Sequence, residues 1–467
     1  MFKPLVIYLI LITVALSLGR GAQPQDQSSQ LQAQAQSPIP PVYYDSLLNG
    51  LQIMIVERPD QSKVTIGFMI KSGAAFDLVG REGTADMTAR LVLRGSQMVN
   101  DKSLTQQLQA LDVEADSSVT WDATRFTFQS PARNLAHLLP ILAEVLSRST
   151  FPDSDIATVK QQRIDELRQR HLSPSALTAM ELSRLVFARH PYARPVEGTV
   201  ESIETITPTD MARHYRRFYL ANNALLTVVG SVSAEAIMPL IRPTFGALRR
   251  GKIVPATFTA PARPNGIHIK IIDQADSPEA FIGLGYLTAA RGSEDFIPLL
   301  LLNYALSGTN RSQLGRLVSL FAPEPVTLTS QLDSRALASS FSISATARGR
   351  LAPAVIAALL KLVESVRAEG VTPADLTAAK SFFIENRSTQ LRTNRQIAQS
   401  LEEMELYGLG RDSIISFDQR IDKVTPEQIK KIAADYLSTT NLDLVIAGPS
   451  AEMADELKTI GTVEVVK

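Results

Sequence analysis

The sequence predicts an α+β protein made of two homologous domains, each an antiparallel-rich β-sheet with helices packed on one face. Three observations predict it. First, ITPTDMARHYRRFYLANNALLTVVG from Ile206 is repeated as VTPEQIKKIAADYLSTTNLDLVIAG from Val424. Thr207-Pro208 matches Thr425-Pro426, Asn223 matches Asn441 and Gly230 matches Gly448, always 218 residues apart. Each copy reads as a capped helix followed by an apolar strand that ends in glycine. Second, a helical pair over 134–170 has a counterpart around 352–388. Third, the intervening segment 249–266 (RRGKIVPATFTAPARPNG) is basic, rich in Pro and Gly and without periodicity, as a linker would be.

The elements follow in chain order. A lysine at position 3, an apolar run over 4–18 and the small residues Gly19, Gly21 and Ala22 have the layout of a secretory signal peptide over 1–22. The run is shorter than the roughly 20 residues of a spanning helix, so the leader is either removed or kept as an anchor. Residues 23–41 are a Gln- and Pro-rich tether, expected to be disordered. The first domain runs from 42 to 248. Its segments 51–57, 64–70 and 125–128 read as strands, and 134–147 and 155–170 as helices. The second domain occupies 267–467.

Lys plus Arg and Asp plus Glu both number 47, so no global field favours nucleic acid or an anionic membrane, and function must come from local sites. The chain has no cysteine, which excludes disulfides, thiolate zinc sites and cysteine nucleophiles. An exported chain without cysteine suits a bacterial periplasm or the extracellular space. No stable membrane insertion is expected once the leader is gone.

Residues 47–96 carry the most specific pattern: Asn49-Gly50-Leu51, then Gly73, Asp77, Gly80 and Gly83, then Arg94-Gly95-Ser96. Farther on come His190-Pro191-Tyr192, Gly198, Phe218-Tyr219, Asn222-Asn223, Gly230 and Phe245-Gly246. Taken together, these resemble the pitrilysin/insulinase family of zinc metallopeptidases, which includes the mitochondrial processing peptidase. The resemblance implies a clamp-like fold whose halves face each other around a chamber. In the family, a helix after the glycines carries H-x-x-E-H, whose histidines bind zinc while the glutamate takes a proton from metal-bound water. This chain reads Ala85-Asp86-Met87-Thr88-Ala89-Arg90 there. Asp86 and Arg90 stand at the histidine positions and Ala89 at the glutamate position. A guanidinium offers no lone pair, and a methyl group cannot act as a base. Glu166 matches the third ligand position and is a remnant of it. The five histidines, at 137, 171, 190, 214 and 268, form no i,i+3 or i,i+4 pair. No catalytic residue and no metal site are therefore expected in this chain, and no cofactor of its own.

Asp86 and Arg90 are four residues apart with the acid first, the favourable order on a helix. The resemblance brings Glu166 close to them, so an Asp86–Arg90–Glu166 ion cluster is expected to stand in for zinc. The alternative is a solvated pair worth about 0.3–0.5 kcal/mol. Many family members also carry an arginine and a tyrosine seven residues apart in the second half; Ser319 and Val326 align there, with Arg316 out of register. Trp121 and Asp122 lie in a polar strand pair that in relatives can take up extended peptides by strand addition; a packing role for Trp121 is the preferred reading. His190 is read as structural, and the RHYRR stretch at 213–217 as a helix face or interface. The resemblance implies a non-catalytic subunit, partnered in a heterodimer by a zinc-bearing relative or self-paired as a homodimer. Two alternatives stay open: an active peptidase with an unusual metal site, and a stand-alone peptide-binding scaffold.

Overall fold

The computed structural model describes residues 38–94, 103–171 and 173–466. The leader, the tether as far as 37, and Gly95-Ser96 lie outside these residues. Two six-stranded sheets form the frame. The first contains β1 (Val42–Ser46), β2 (Gln52–Glu57), β3 (Lys63–Ile70), β4 (Glu114–Val119), β5 (Thr124–Pro131) and β6 (Ala224–Gly230), in the order β1-β2-β6-β3-β5-β4. The second contains β7 (Ile267–Asp273), β8 (Glu279–Thr288), β9 (Thr327–Asp333), β10 (Ser339–Arg348), β11 (Leu442–Gly448) and β12 (Thr462–Val466), in the order β12-β7-β11-β8-β10-β9.

The repeat seen in the sequence is thus a repeat of topology. In both sheets the glycine-ending strand lies at the centre, parallel to one neighbour (β6 to β2, β11 to β7) and antiparallel to the other (β6 to β3, β11 to β8). The sheets differ at one edge, where β1 runs antiparallel to β2 but β12 runs parallel to β7.

The helices used below are α1 (Thr84–Val92), α2 (Leu135–Arg148), α3 (Asp153–His171), α4 (Pro174–Phe187), α5 (Pro208–Phe218), α6 (Ala234–Phe245), α7 (Phe296–Ser307), α8 (Ala352–Glu369), α9 (Asn394–Leu406) and α10 (Pro426–Tyr436). Helices α5 and α10 start alike. Thr207 accepts a hydrogen bond from Asp210 N (3.2 Å) and Thr425 from Gln428 N (3.3 Å), each followed by proline at the first helical position.

One face of each sheet packs on helices of its own half. Ile53, Ile55, Phe126, Phe128 and Val228 meet Leu138 and Leu142 of α2 and Ile237 and Ile241 of α6. In the second half, Ile271, Leu284 and Ile343 meet residues of α7, α8 and α10. The other face receives a helix from the opposite half. Ile397, Leu401 and Met404 of α9 pack on Met54, Val56, Met69, Leu225 and Val229 of the first sheet. Leu182 and Val186 of α4 pack on the second sheet with Val445. Room for α4 comes from two glycines in β8: a Cβ at Gly285 would lie 2.4 Å from Val186 Cγ2, and one at Gly283 would lie 3.1 Å from Leu182 Cδ2. Helices therefore cover both faces, one more than the sequence suggested. This is why β6 and β11 are buried at every residue and are apolar but for Thr227 and Asp443. Among the described residues, no helix is long and apolar enough to cross a membrane.

Candidate functional site

Helix α1 is set in place by the glycines and aspartate that precede it. Its N-cap is Gly83, at φ 92°, which has no side chain to cap the first turn. Asp77 does so from the preceding loop, accepting from Gly83 N and Ala85 N at 3.0 Å each. A Cβ at Gly83 would meet Glu197 O at 2.9 Å, so the family glycine reflects close approach as well as left-handed backbone.

Asp86 and Arg90 lie one turn apart on α1, facing α3. Arg90 Nε donates to Asp86 Oδ2 at 3.1 Å, and its two terminal nitrogens reach Glu166 Oε1 and Oε2 at 3.2 and 3.1 Å, a bidentate fork. A fourth member escaped sequence reasoning. Arg163, three residues before Glu166 on α3, donates to Asp86 through Nε (3.0 Å) and Nη2 and to Glu166 through Nη1 (2.8 Å). Its side chain is only 3% exposed. The i,i+3 spacing of Arg163 and Glu166 was the available signal. Burial raises the Asp86 carboxyl, and the two guanidiniums pull it back only in part.

Two guanidiniums bring the same formal charge as one divalent cation, facing two carboxylates. The donor set does not suit zinc: Oδ2 of Asp86 and both oxygens of Glu166 accept from arginines, and Ala89 carries no base. Among the described residues no three His, Cys, Asp or Glu groups stand together as a metal would need. What this arrangement can do is hold α1 against α3.

A second buried pair lies behind α1, where His214 Nδ1 is 3.8 Å from Asp77 Oδ1. Burial lifts the Asp77 carboxyl from 3.8 to about 8 and, with Arg217 adding to it, lowers the His214 imidazole from 6.5 to about 3. Both groups are then neutral at pH 7, sharing one proton, on Asp77. The unfolded pair also holds one proton between pH 3.8 and 6.5, on the histidine, so the pair gives no stability slope there. Above pH 6.5 the unfolded pair loses that proton while the native pair keeps its own to about 8, so stability falls by about 2 kcal/mol as pH rises across that window. Below pH 3.8 the unfolded pair takes up a second proton and stability falls with acid. Asp77→Asn should abolish the alkaline fall and create an acid one beginning at pH 6.5, read from urea midpoints at about pH 5, 6.5 and 8.

A cavity of about 470 Å³ lies between α4 and the second sheet. Leu167 and Arg170, on the turn of α3 after Glu166, line it from the first half, and Phe281, Gln331, Ser342 and Thr346 from the second. Arg170 pairs with Glu197 at 2.9 Å at its rim.

The remaining sequence candidates are placed as follows. Trp121 and Asp122 occupy the turn between β4 and β5. The indole donates to Arg194 O at 2.8 Å, and Arg335 of the second half stacks 3.4 Å over its ring, so Trp121 is a packing aromatic. Strand β4 is an edge of the first sheet. His190 is buried; its Nδ1 accepts from Tyr192 N at 3.1 Å, and burial lowers it to about 4. His137, His214 and His268 are scattered over separate elements. Val326 is buried, Ser319 is exposed, and Arg316 forks onto Asp375 at 3.2 and 2.9 Å.

Comparison with known proteins agrees with the fold. Residues 52–200 match the family described as Insulinase (Peptidase family M16), and residues 205–383 match the Peptidase M16 inactive domain. An uncharacterised zinc protease of Mycobacterium leprae is 25% identical over 410 residues, covering 87% of this chain and 91% of its own. The mitochondrial-processing peptidase subunit beta of Bos taurus is 21% identical over 429 residues, covering 89% and 86%. Among solved structures, a peptidase M16 inactive domain from Pseudomonas fluorescens superposes with a TM-score of 0.80 at 22% identity, over 87% of this chain and 98% of that one. With the glycines, the central strands and the helix that would carry the catalytic motif all in place, this chain belongs to the M16 (insulinase) peptidase family.

Proposed function

We propose that this chain is a non-catalytic subunit of an exported zinc peptidase, supplying chamber wall and interface to a partner that carries H-x-x-E-H. The observation that supports this reading is the four-membered cluster of Asp86, Arg90, Arg163 and Glu166, with Ala89 where a base would be needed. Asp86 Oδ2 and both Glu166 oxygens accept from guanidiniums, so zinc bound through them would have to displace two arginines, one of them buried. Any zinc belongs to the partner. The beta subunit of mitochondrial-processing peptidase, similar along most of the chain, is by its name one subunit of an assembly. Export rests on the N-terminal leader pattern, and a periplasmic or extracellular site follows from it.

The test is expression of the full chain alone and together with an H-x-x-E-H relative, followed by mass determination and peptide hydrolysis. Stable association, with hydrolysis that requires the relative and is abolished by a chelator, is the expected result. Chelator-sensitive hydrolysis by this chain alone, lost in Glu166→Ala, would overturn the proposal in favour of an active peptidase. Peptide binding without any stable association would point to a scaffold instead.

A further inference from the structure

A strongly basic, partly apolar surface lies on the first half, built from residues that take no part in the arginine–carboxylate cluster. It begins with a rigid turn. Leu47 N donates to Leu51 O and Gly50 N to Leu47 O, at 2.9 and 2.8 Å, while the Asn49 amide reaches the carbonyls of Phe245, Gly246 and Leu248 at 2.8–3.2 Å. Gly50, at φ 89°, lets the turn close against Asn222, where a Cβ would come within 2.7 Å of Asn222 Cβ. The tip of this turn is Leu48, whose side chain is fully in water at 101% exposure.

A basic segment adjoins it. Arg250 reaches Leu48 O at 3.5 Å, Arg249 donates to Arg216 O, and Asn222 fixes the loop by a paired amide contact with Gly251 at 2.8 and 3.0 Å. Arg216, Arg217, Arg249 and Lys252 line one groove of about 490 Å³ with Leu220 and the 45%-exposed Ile253. The nearby carboxylates are taken by other arginines, Asp210 by Arg213 and Asp45 by Arg242. Arg216, Arg217, Arg249, Arg250 and Lys252 thus form no ion pair among the described residues.

We propose that this face docks peripherally on the surface of a bilayer rich in anionic phospholipid. Charge complementarity asks for an anion, and the leucine decides which. A soluble polyanion would leave Leu48 and Ile253 in water, whereas the headgroup–acyl boundary accepts both and places phosphates beside the five cations. The turn is held before contact, so little ordering cost opposes insertion of Leu48.

Flotation of the full chain with phosphatidylcholine vesicles, with and without phosphatidylglycerol, tests this. The leader, which carries Lys3 and Arg20, contributes equally to the unmodified chain and its variants, so the change in anionic excess between them is the readout. That excess should fall steeply with salt. It should drop about 100-fold in Arg216→Gln/Arg250→Gln/Lys252→Gln, at about five-fold per cation, and several-fold in Leu48→Ser, with melting temperatures unchanged. No anionic excess in the unmodified chain, or an excess that survives the triple substitution, overturns the proposal. An excess that depends on the cations but not on Leu48, and that soluble polyglutamate competes away, assigns the face to an acidic protein and overturns the lipid reading.

Discussion

Arg163→Ala is expected to destabilise the chain by about 3–5 kcal/mol, because it leaves the Asp86 carboxylate buried without its closest cation. Arg163 is 3% exposed and spans both carboxylates, whereas the side chain of Arg90 is 33% exposed and approaches from the solvent side. Arg90→Ala should therefore cost less, on the order of 1 kcal/mol. Urea unfolding of the two variants gives the comparison directly. A matched apolar replacement, Asp86→Leu with Arg163→Met, should recover most of the loss, since removing both charges also removes their desolvation. If Arg163→Ala shifts stability by less than about 1 kcal/mol, water reaches Asp86 freely and the cluster does not hold α1 to α3.

Arg335→Ala is expected to cost about as much, roughly 3–5 kcal/mol, by opening the contact between the halves. This side chain comes from the second half and is 2% exposed. It stacks on Trp121 and Phe187 at 3.4 and 4.2 Å, donates to Tyr192 O at 2.8 Å and pairs with Asp333 at 2.5 Å. Beside it, Asp122 accepts from the Tyr192 hydroxyl and from Ala336 N, tying three segments together. Lysine should rescue little, because it lacks the planar fork that stacks and donates at once. Calorimetry should show a lower melting temperature and a broader transition; an unchanged melting temperature would mean that the apolar contacts of α4 and α9 suffice.

Much of this was legible in the sequence for local reasons. The Thr-Pro caps at 207 and 425, the apolar strands ending in Gly230 and Gly448, and the left-handed glycines at 80 and 83 are dictated by a few neighbouring residues. The Asp86–Arg90 pair was legible because i and i+4 share a helix face, and Glu166 because the resemblance brings its helix close. Arg163 was hidden because α3 is charged along its length, and its i,i+3 spacing to Glu166 is rivalled by the i,i+4 spacing of Arg170 to the same residue. The destinations of α4 and α9 were hidden too. An apolar stripe shows that a helix is covered, not which sheet covers it, and both helices serve a sheet formed 80 or more residues away. The near-continuous apolar character of β6 and β11 was the available hint, since strands without polar–apolar alternation need partners on both sides.

The exchange of α4 and α9 has a consequence for how this protein is made and broken. Neither sheet is sealed by residues of its own half, so the first can stay partly greasy until Ile397, Leu401 and Met404 have emerged and docked. Assembly is then late and concerted, with a hazard of clumping in the interval. The reverse holds once assembly is complete. A single cut in the 249–266 connector would yield two polypeptides that remain clasped, each with an arm through the other, and only denaturant would part them.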